Sequence, residues 1–217
     1  MIKALLLALA LGTFATFGTN PLGPPRTVRT VRTVQAVRAP ESFRVKLETT
    51  KGDIVIECER AWAPHGADRF YELVTSGYYD DSAIFRIRPK TWAQFGINGK
   101  PEVATAWRTK AIPDDPFKEA NVRGTVAFAW AVPNGRTTQV FINLTDNRET
   151  HDKEPFVPFG RVVEGMDVAD SFFDGYGEAA GGGIRAGKQQ PVFDGGNDYL
   201  KKNFPKLDYI RTARVVK

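Results

Sequence analysis

Ile84–Gly99 reads IFRIRPKTWAQFGING, and the folding of the rest of the chain follows from it. Ile84, Arg86 and Arg88 alternate with Phe85 and Ile87, the two-residue period of a strand with unlike faces. Arg86 and Gln94 then need a reason to point inward, and a pocket walled by large apolar groups supplies it. A second stretch, GTVAFAWAVPNGRTTQVFIN from Gly124 to Asn143, repeats the plan: an apolar strand, a Pro-Asn-Gly turn, and a strand carrying Gln139 and Phe141. Residues two apart on a strand share a face, so these two look the same way. The expectation is a pocket with an aromatic floor and an amide rim.

Working outward, Phe43–Arg60 shows two alternating runs around Thr50-Lys51-Gly52-Asp53, which is a hairpin signal. Pro64 then opens a helix whose Ala67, Phe70, Tyr71, Leu73 and Val74 recur at helical spacing, with Gly77 just past its end. Its apolar face is expected to close one mouth of a barrel. Lys100–Val122 reads as a long connection bordering the pocket. Val168–Phe173 reads as a short second helix over the other mouth, Gly177–Pro191 as a flexible loop, Asp198–Phe204 as a helical turn and Tyr209–Val216 as a final strand. The acidic pairs Asp80-Asp81 and Asp114-Asp115 sit in turns, where carboxylates act as caps more often than as metal ligands.

The N-terminal region has a different character. Lys3 followed by the apolar run from Ala4 to Phe17 and the small residues of GTFATFG forms a secretory signal pattern over residues 1–18, with cleavage expected near Ala15 or Gly18. That run is shorter than the ~20 residues a bilayer-spanning helix needs, so membrane contact is expected to be transient. Residues 19–42, with four prolines and a Thr-Val-Arg repeat, read as an extended linker. The expected domain is therefore 43–217, exported to the periplasm or the medium. Of the net charge of +5, residues 1–43 carry +4, through five basic residues against Glu41. The folded part is nearly neutral, which argues against a nucleic-acid partner. Cys58 is the only cysteine, so no intramolecular disulfide forms, and it reads as a buried inert thiol. His65 and His151 are too few and too far apart for a metal site, and neither metal nor cofactor is expected.

The stretches IFRIRPKTWAQFG, GTVAFAWAVPNGRTTQVFI and PFGRVVEGMDVAD (Pro158–Asp170) resemble, in order and spacing, the three signatures of the cyclophilin family of peptidyl-prolyl cis/trans isomerases. The likeness runs from about Arg44 to the C-terminus. The QFGI continuation and the tail NDYLKKNFPKLDYI look like a secreted bacterial branch. The resemblance implies a mainly β fold, a closed antiparallel barrel capped by two helices. It implies catalytic roles for Arg86, three residues before Pro89, and for Gln94, five residues after it. Substrate contacts are implied for Thr91, Trp92, Ala129, Trp130, Gln139, Phe141 and Phe156, with Phe141 as the floor of the proline slot. Arg88 is a rival for the arginine's role, but the match to Pro89 and Gln94 favours Arg86.

Three positions depart from the family pattern. Thr91 stands where phenylalanine is usual, Trp130 replaces an asparagine, and Phe156 replaces a histidine on the far side of the slot. The family's tryptophan and leucine have no clear counterpart near Thr150, His151 and Asp152. The leading expectation is an exported, monomeric isomerase acting on proline-containing chains; the alternative is a proline-peptide binding module or chaperone with little catalysis. Asn143-Leu144-Thr145 has the glycosylation pattern but continues a strand expected to be buried, and is discounted on that ground.

Overall fold

The computed structural model describes residues 37–181 and 188–217. The signal-peptide reading, most of the linker reading and the middle of the flexible-loop reading, residues 182–187, fall outside these residues. Near the start of the described residues, the Ala39 backbone N–H donates to the Asp68 carboxylate and its methyl is buried.

Among the described residues, nine strands form one antiparallel sheet. The expected hairpin pairs β1 (Ser42–Thr49) with β2 (Asp53–Glu59), turning through Gly52 at φ +139°. Six further strands are β3 (Ser82–Ala83), β4 (Arg86–Arg88), β5 (Trp92–Phe95), β6 (Thr125–Phe128), β7 (Val140–Asn143) and β8 (Pro158–Glu164). The last, β9, spans Tyr209–Val216. Their order across the sheet is β3-β9-β1-β2-β8-β6-β7-β5-β4. The edge strands β3 and β4 are joined by Ile84 and Phe85 alone, and three residue steps reach at most ~11 Å. The sheet must therefore curl until its two edges nearly meet, which gives the expected barrel.

Alternation divides each strand between two faces. Ile87, Ala93, Ile142 and Val126 oppose one another across β4, β5, β7 and β6, as do Phe95, Val140 and Phe128. All seven are buried in the central core, with Val45, Leu47, Ile54 and Ile56 from the hairpin. Helix α1 (Pro64–Thr75) lays Ala67, Phe70, Leu73 and Val74 into the same core, and Phe70 meets Phe159 at 4.8 Å between ring centres. Cys58 is fully buried there, and burial pushes its thiol well above its ordinary range.

Four details differ from the sequence reading. The strand expected to run through Ile84–Arg88 is interrupted: Ile84 joins the central core, Phe85 a second apolar cluster, and only Arg86–Arg88 pair as β4. The connection after Lys100 contains helix α2 (Pro101–Arg108), which buries Ala104 alone and so carries too thin an apolar stripe to be read. The turn expected at Asp198–Phe204 extends back to Gln190 as α5 (Gln190–Asn203), kinked at Gly196, where φ is +52°. The helix expected from Val168 is α4 (Met166–Asp170), and a one-turn α3 covers Arg148–His151. No helix among the described residues is long and apolar enough to cross a membrane.

Candidate active site

With one face of β4-β5-β7-β6 committed to the core, the other face carries the residues singled out from the sequence. At one level Arg86 lies opposite Gln94, Gln94 opposite Phe141, and Phe141 opposite Ala127. One level along, Arg88 faces Trp92 and Trp92 faces Asn143. Arg86 and Gln94 thus point away from the barrel core, not into it. Neighbours on the outer face bury Gln94, 2% exposed, and Phe141, 3% exposed, and leave Arg86 half-buried.

Three polar side chains form a relay. Arg86 Nη1 donates to Gln94 Oε1 at 3.0 Å, and Gln94 Nε2 donates to Gln139 Oε1 at 2.7 Å. The Arg86 guanidinium lies over the Trp92 ring, 4.3 Å from its centre, and its Nε donates to Glu178 Oε1 at 3.0 Å, with Nη2 on the same oxygen. A planar cation stacked on an indole and held at two edges has a fixed orientation, which lysine could not match. Arg88, the rival, is exposed.

Beside the relay lies an apolar cluster of Trp92, Ala127 and Phe141 with Phe156 packed against it. Phe156 stands perpendicular to Phe141 at 5.4 Å. His151 completes the wall, 5.3 Å from Phe141 and 5.1 Å from Phe156. Sequence reasoning did not place His151 here: it arrives through α3, and no spacing links it to the strands. Its Nδ1 lies 3.2 Å from Asn143 Oδ1, while the Asn143 amide donates to Asn121 and Thr125. This arrangement puts the ring proton on Nδ1. Burial lowers the His151 pKa, with Arg88 adding to the effect and Asp152 opposing it.

Of the remaining predicted residues, Thr91 directly precedes β5 and Ala129 and Trp130 directly follow β6. Thr91 belongs to the β4–β5 turn: its hydroxyl donates to Pro89 O at 3.2 Å, and its carbonyl accepts from Leu144 N and Asn147 Nδ2. Ala129 N–H donates to Gln139 O just past the end of β6, and Trp130 follows it, half-buried. Asn143, the discounted glycosylation position, is fully buried.

The profile of the family described as "Cyclophilin type peptidyl-prolyl cis-trans isomerase/CLD" matches residues 44–183. A peptidyl-prolyl cis-trans isomerase of Acinetobacter baylyi is 35% identical over 133 residues, which cover 58% of this chain and 69% of that protein. Peptidyl-prolyl cis-trans isomerase A of Dickeya dadantii is 33% identical over 138 residues, 61% of this chain and 72% of the relative. A cyclophilin-type isomerase of Cryptosporidium parvum superposes with a TM-score of 0.55 at 15% identity, over 81% of this chain and 98% of that one, a likeness of fold alone. The chain belongs to the cyclophilin-type peptidyl-prolyl cis-trans isomerases.

Proposed function

We propose that this protein accelerates X-Pro isomerisation in exported polypeptides, with Arg86 as the catalytic donor. Amide resonance sets a barrier near ~20 kcal/mol for rotation about the peptide bond, and no nucleophile is needed to lower it. A prolyl ring seated on Phe141, between Trp92 and Phe156, leaves water, while Arg86 is presented at the edge of the same patch. As the amide twists, its nitrogen loses conjugation and becomes a better acceptor. A donor aimed there binds the twisted state more tightly than either planar isomer, and this difference is what speeds the reaction. Gln94, bonded to Arg86 through its oxygen and to Gln139 through its nitrogen, keeps the guanidinium in place.

The reading is carried by one observation: a side-chain relay, Arg86 to Gln94 to Gln139, laid directly beside the Trp92–Phe141–Phe156 patch. Proline-containing peptides as substrates are supported by the family and by a solved cyclophilin of Cryptosporidium parvum studied in the presence of the dipeptide Ala-Pro. Export, to periplasm or medium, rests on the signal pattern of residues 1–18, and the monomeric state and the bacterial branch rest on the sequence alone. In a protease-coupled proline-peptide assay, Arg86→Ala should lower kcat/KM about 100-fold or more while leaving the circular-dichroism spectrum unchanged. Retained turnover in that variant would remove Arg86 from the chemistry. Binding of the peptide without acceleration by the unmodified protein would instead identify a binding module.

A further inference from the structure

We infer that the loop around Glu178 is a built part of the site, and that Glu178 is a positioning residue for Arg86. This rests on the reading of Arg86 given above. Gly177–Pro191 is glycine-rich and lacks any catalytic pattern, yet its ends are fastened to the site at several points. The Ile87 N–H, on the side of β4 away from β5, donates to Gly177 O at 3.0 Å. Ala180 is 2% exposed in the second apolar cluster, together with Phe85. A Cβ at Gly181 would lie 2.4 Å from the Phe85 ring, so the backbone approaches there as only glycine allows. On the far side of the loop, Gln189 is 4% exposed, and its amide and that of Gln139 face each other at 2.8 Å.

These attachments aim one carboxylate. Glu178 takes Arg86 from the side, through Nε and Nη2 on a single oxygen, while Gln94 holds Nη1 and Trp92 supports the flat face. A guanidinium has five N–H donors. Three are spent in these bonds among the described residues, leaving one on Nη1 and one on Nη2. Glu178 therefore occupies the edge of Arg86 nearest its own stem and leaves donors at the tip for a substrate. A carboxylate competing with substrate would sit at that tip. Gln189 anchors the other end of the relay through Gln139, so Glu178 and Gln189 hold the two ends of Arg86–Gln94–Gln139. The Glu178 side chain is 53% exposed and lies outside the barrel core, so its loss leaves the core intact, while Arg86, 20% exposed, keeps its contacts with Gln94 and Trp92.

The test separates binding from turnover by NMR line-shape analysis of a proline peptide titrated with the full-length protein. Glu178→Ala should slow the on-enzyme cis/trans rate about tenfold while the peptide Kd moves less than about twofold, because orientation of a donor matters most in the twisted state. Glu178→Gln, which keeps an acceptor, should recover part of the rate. In the Arg86→Ala background the Glu178→Ala change should have no further effect. An unchanged or faster rate in Glu178→Ala overturns the inference, as does an equal loss in both backgrounds, which would make Glu178 merely structural. Full activity in Arg86→Ala overturns this inference together with the reading of the site; lost activity there with a normal Glu178→Ala overturns this inference alone.

Discussion

Phe141 meets Phe156 at 89° and His151 at 75°, the edge-on geometry that aromatic quadrupoles favour. His151 is thus used as a ring, and its charge is a liability. Burial holds its pKa below the usual 6.5, whereas in the unfolded chain it titrates normally. As pH falls through 6.5 the unfolded state takes up a proton that the folded state refuses, so stability declines on acidification over that window. His151→Phe keeps a ring and removes the proton site. Urea midpoints at pH 7.5 and 5.5 should fall further for the unmodified protein than for His151→Phe, and equal falls would remove His151 from the pH response. Such a role was not legible beforehand, because a lone histidine in a polar turn carries no periodicity. Arg86, Gln94 and Phe141 were legible because they lie on strands, where the two-residue period and the match to Pro89 fix both face and level.

Among the elements, the clearest coupling runs from the β6–β7 connection to the start of α1. Arg136 is 1% exposed and reaches Asp115 Oδ2 through Nη1 and Nη2 at 3.2 Å each, and Asp114 Oδ1 through Nε. The same Asp115 carboxylate accepts the N–H groups of His65 and Gly66, two of the unpaired donors that open α1. Arg136→Ala should cost about 3 kcal/mol in urea unfolding, since it leaves a buried carboxylate with only the helix terminus for a partner. A loss under about 1 kcal/mol would mean that water or another cation takes Arg136's place. From the sequence Asp114 and Asp115 read as caps, but Asp115 caps a helix through His65, 50 residues earlier, and Asp114 meets Asn134 and Arg136 instead, pairings that no local pattern encodes. The same limit explains the helices. α1 has a wide apolar stripe and was visible in full, whereas α2 buries one alanine and α5 is broken by Gly196, so both read as connection. Glycine marks close packing as well as turns, and at Gly181, against the Phe85 ring, it is the packed case.

Across the whole folded unit, the curled sheet places core on its concave side and the candidate site on the outer face of four strands, so substrate chemistry and stability are carried by alternate residues of the same segments. That division makes the N-terminal boundary a question of stability alone. Among the described residues, the site draws on none before Phe43, and the central core reaches no earlier than Ala39. Ala39 is nevertheless tied in: its N–H meets Asp68, which also pairs with Arg60 at 2.8 Å, and Ser42 Oγ donates to Glu59 at 3.0 Å. A chain beginning at Val37 should therefore melt within about 2 °C of the full-length protein and keep its isomerase rate. A chain beginning at Phe43 forfeits the bond to the Asp68 carboxylate and the burial of Ala39. At about 1–2 kcal/mol for that loss it should melt roughly 2–8 °C lower with an unchanged rate at 25 °C. Scanning fluorimetry and the proline-peptide assay on the three chains decide the matter. A large drop already at Val37 would mean that earlier residues hold the core, and equal melting of the two truncations would move the boundary to Phe43.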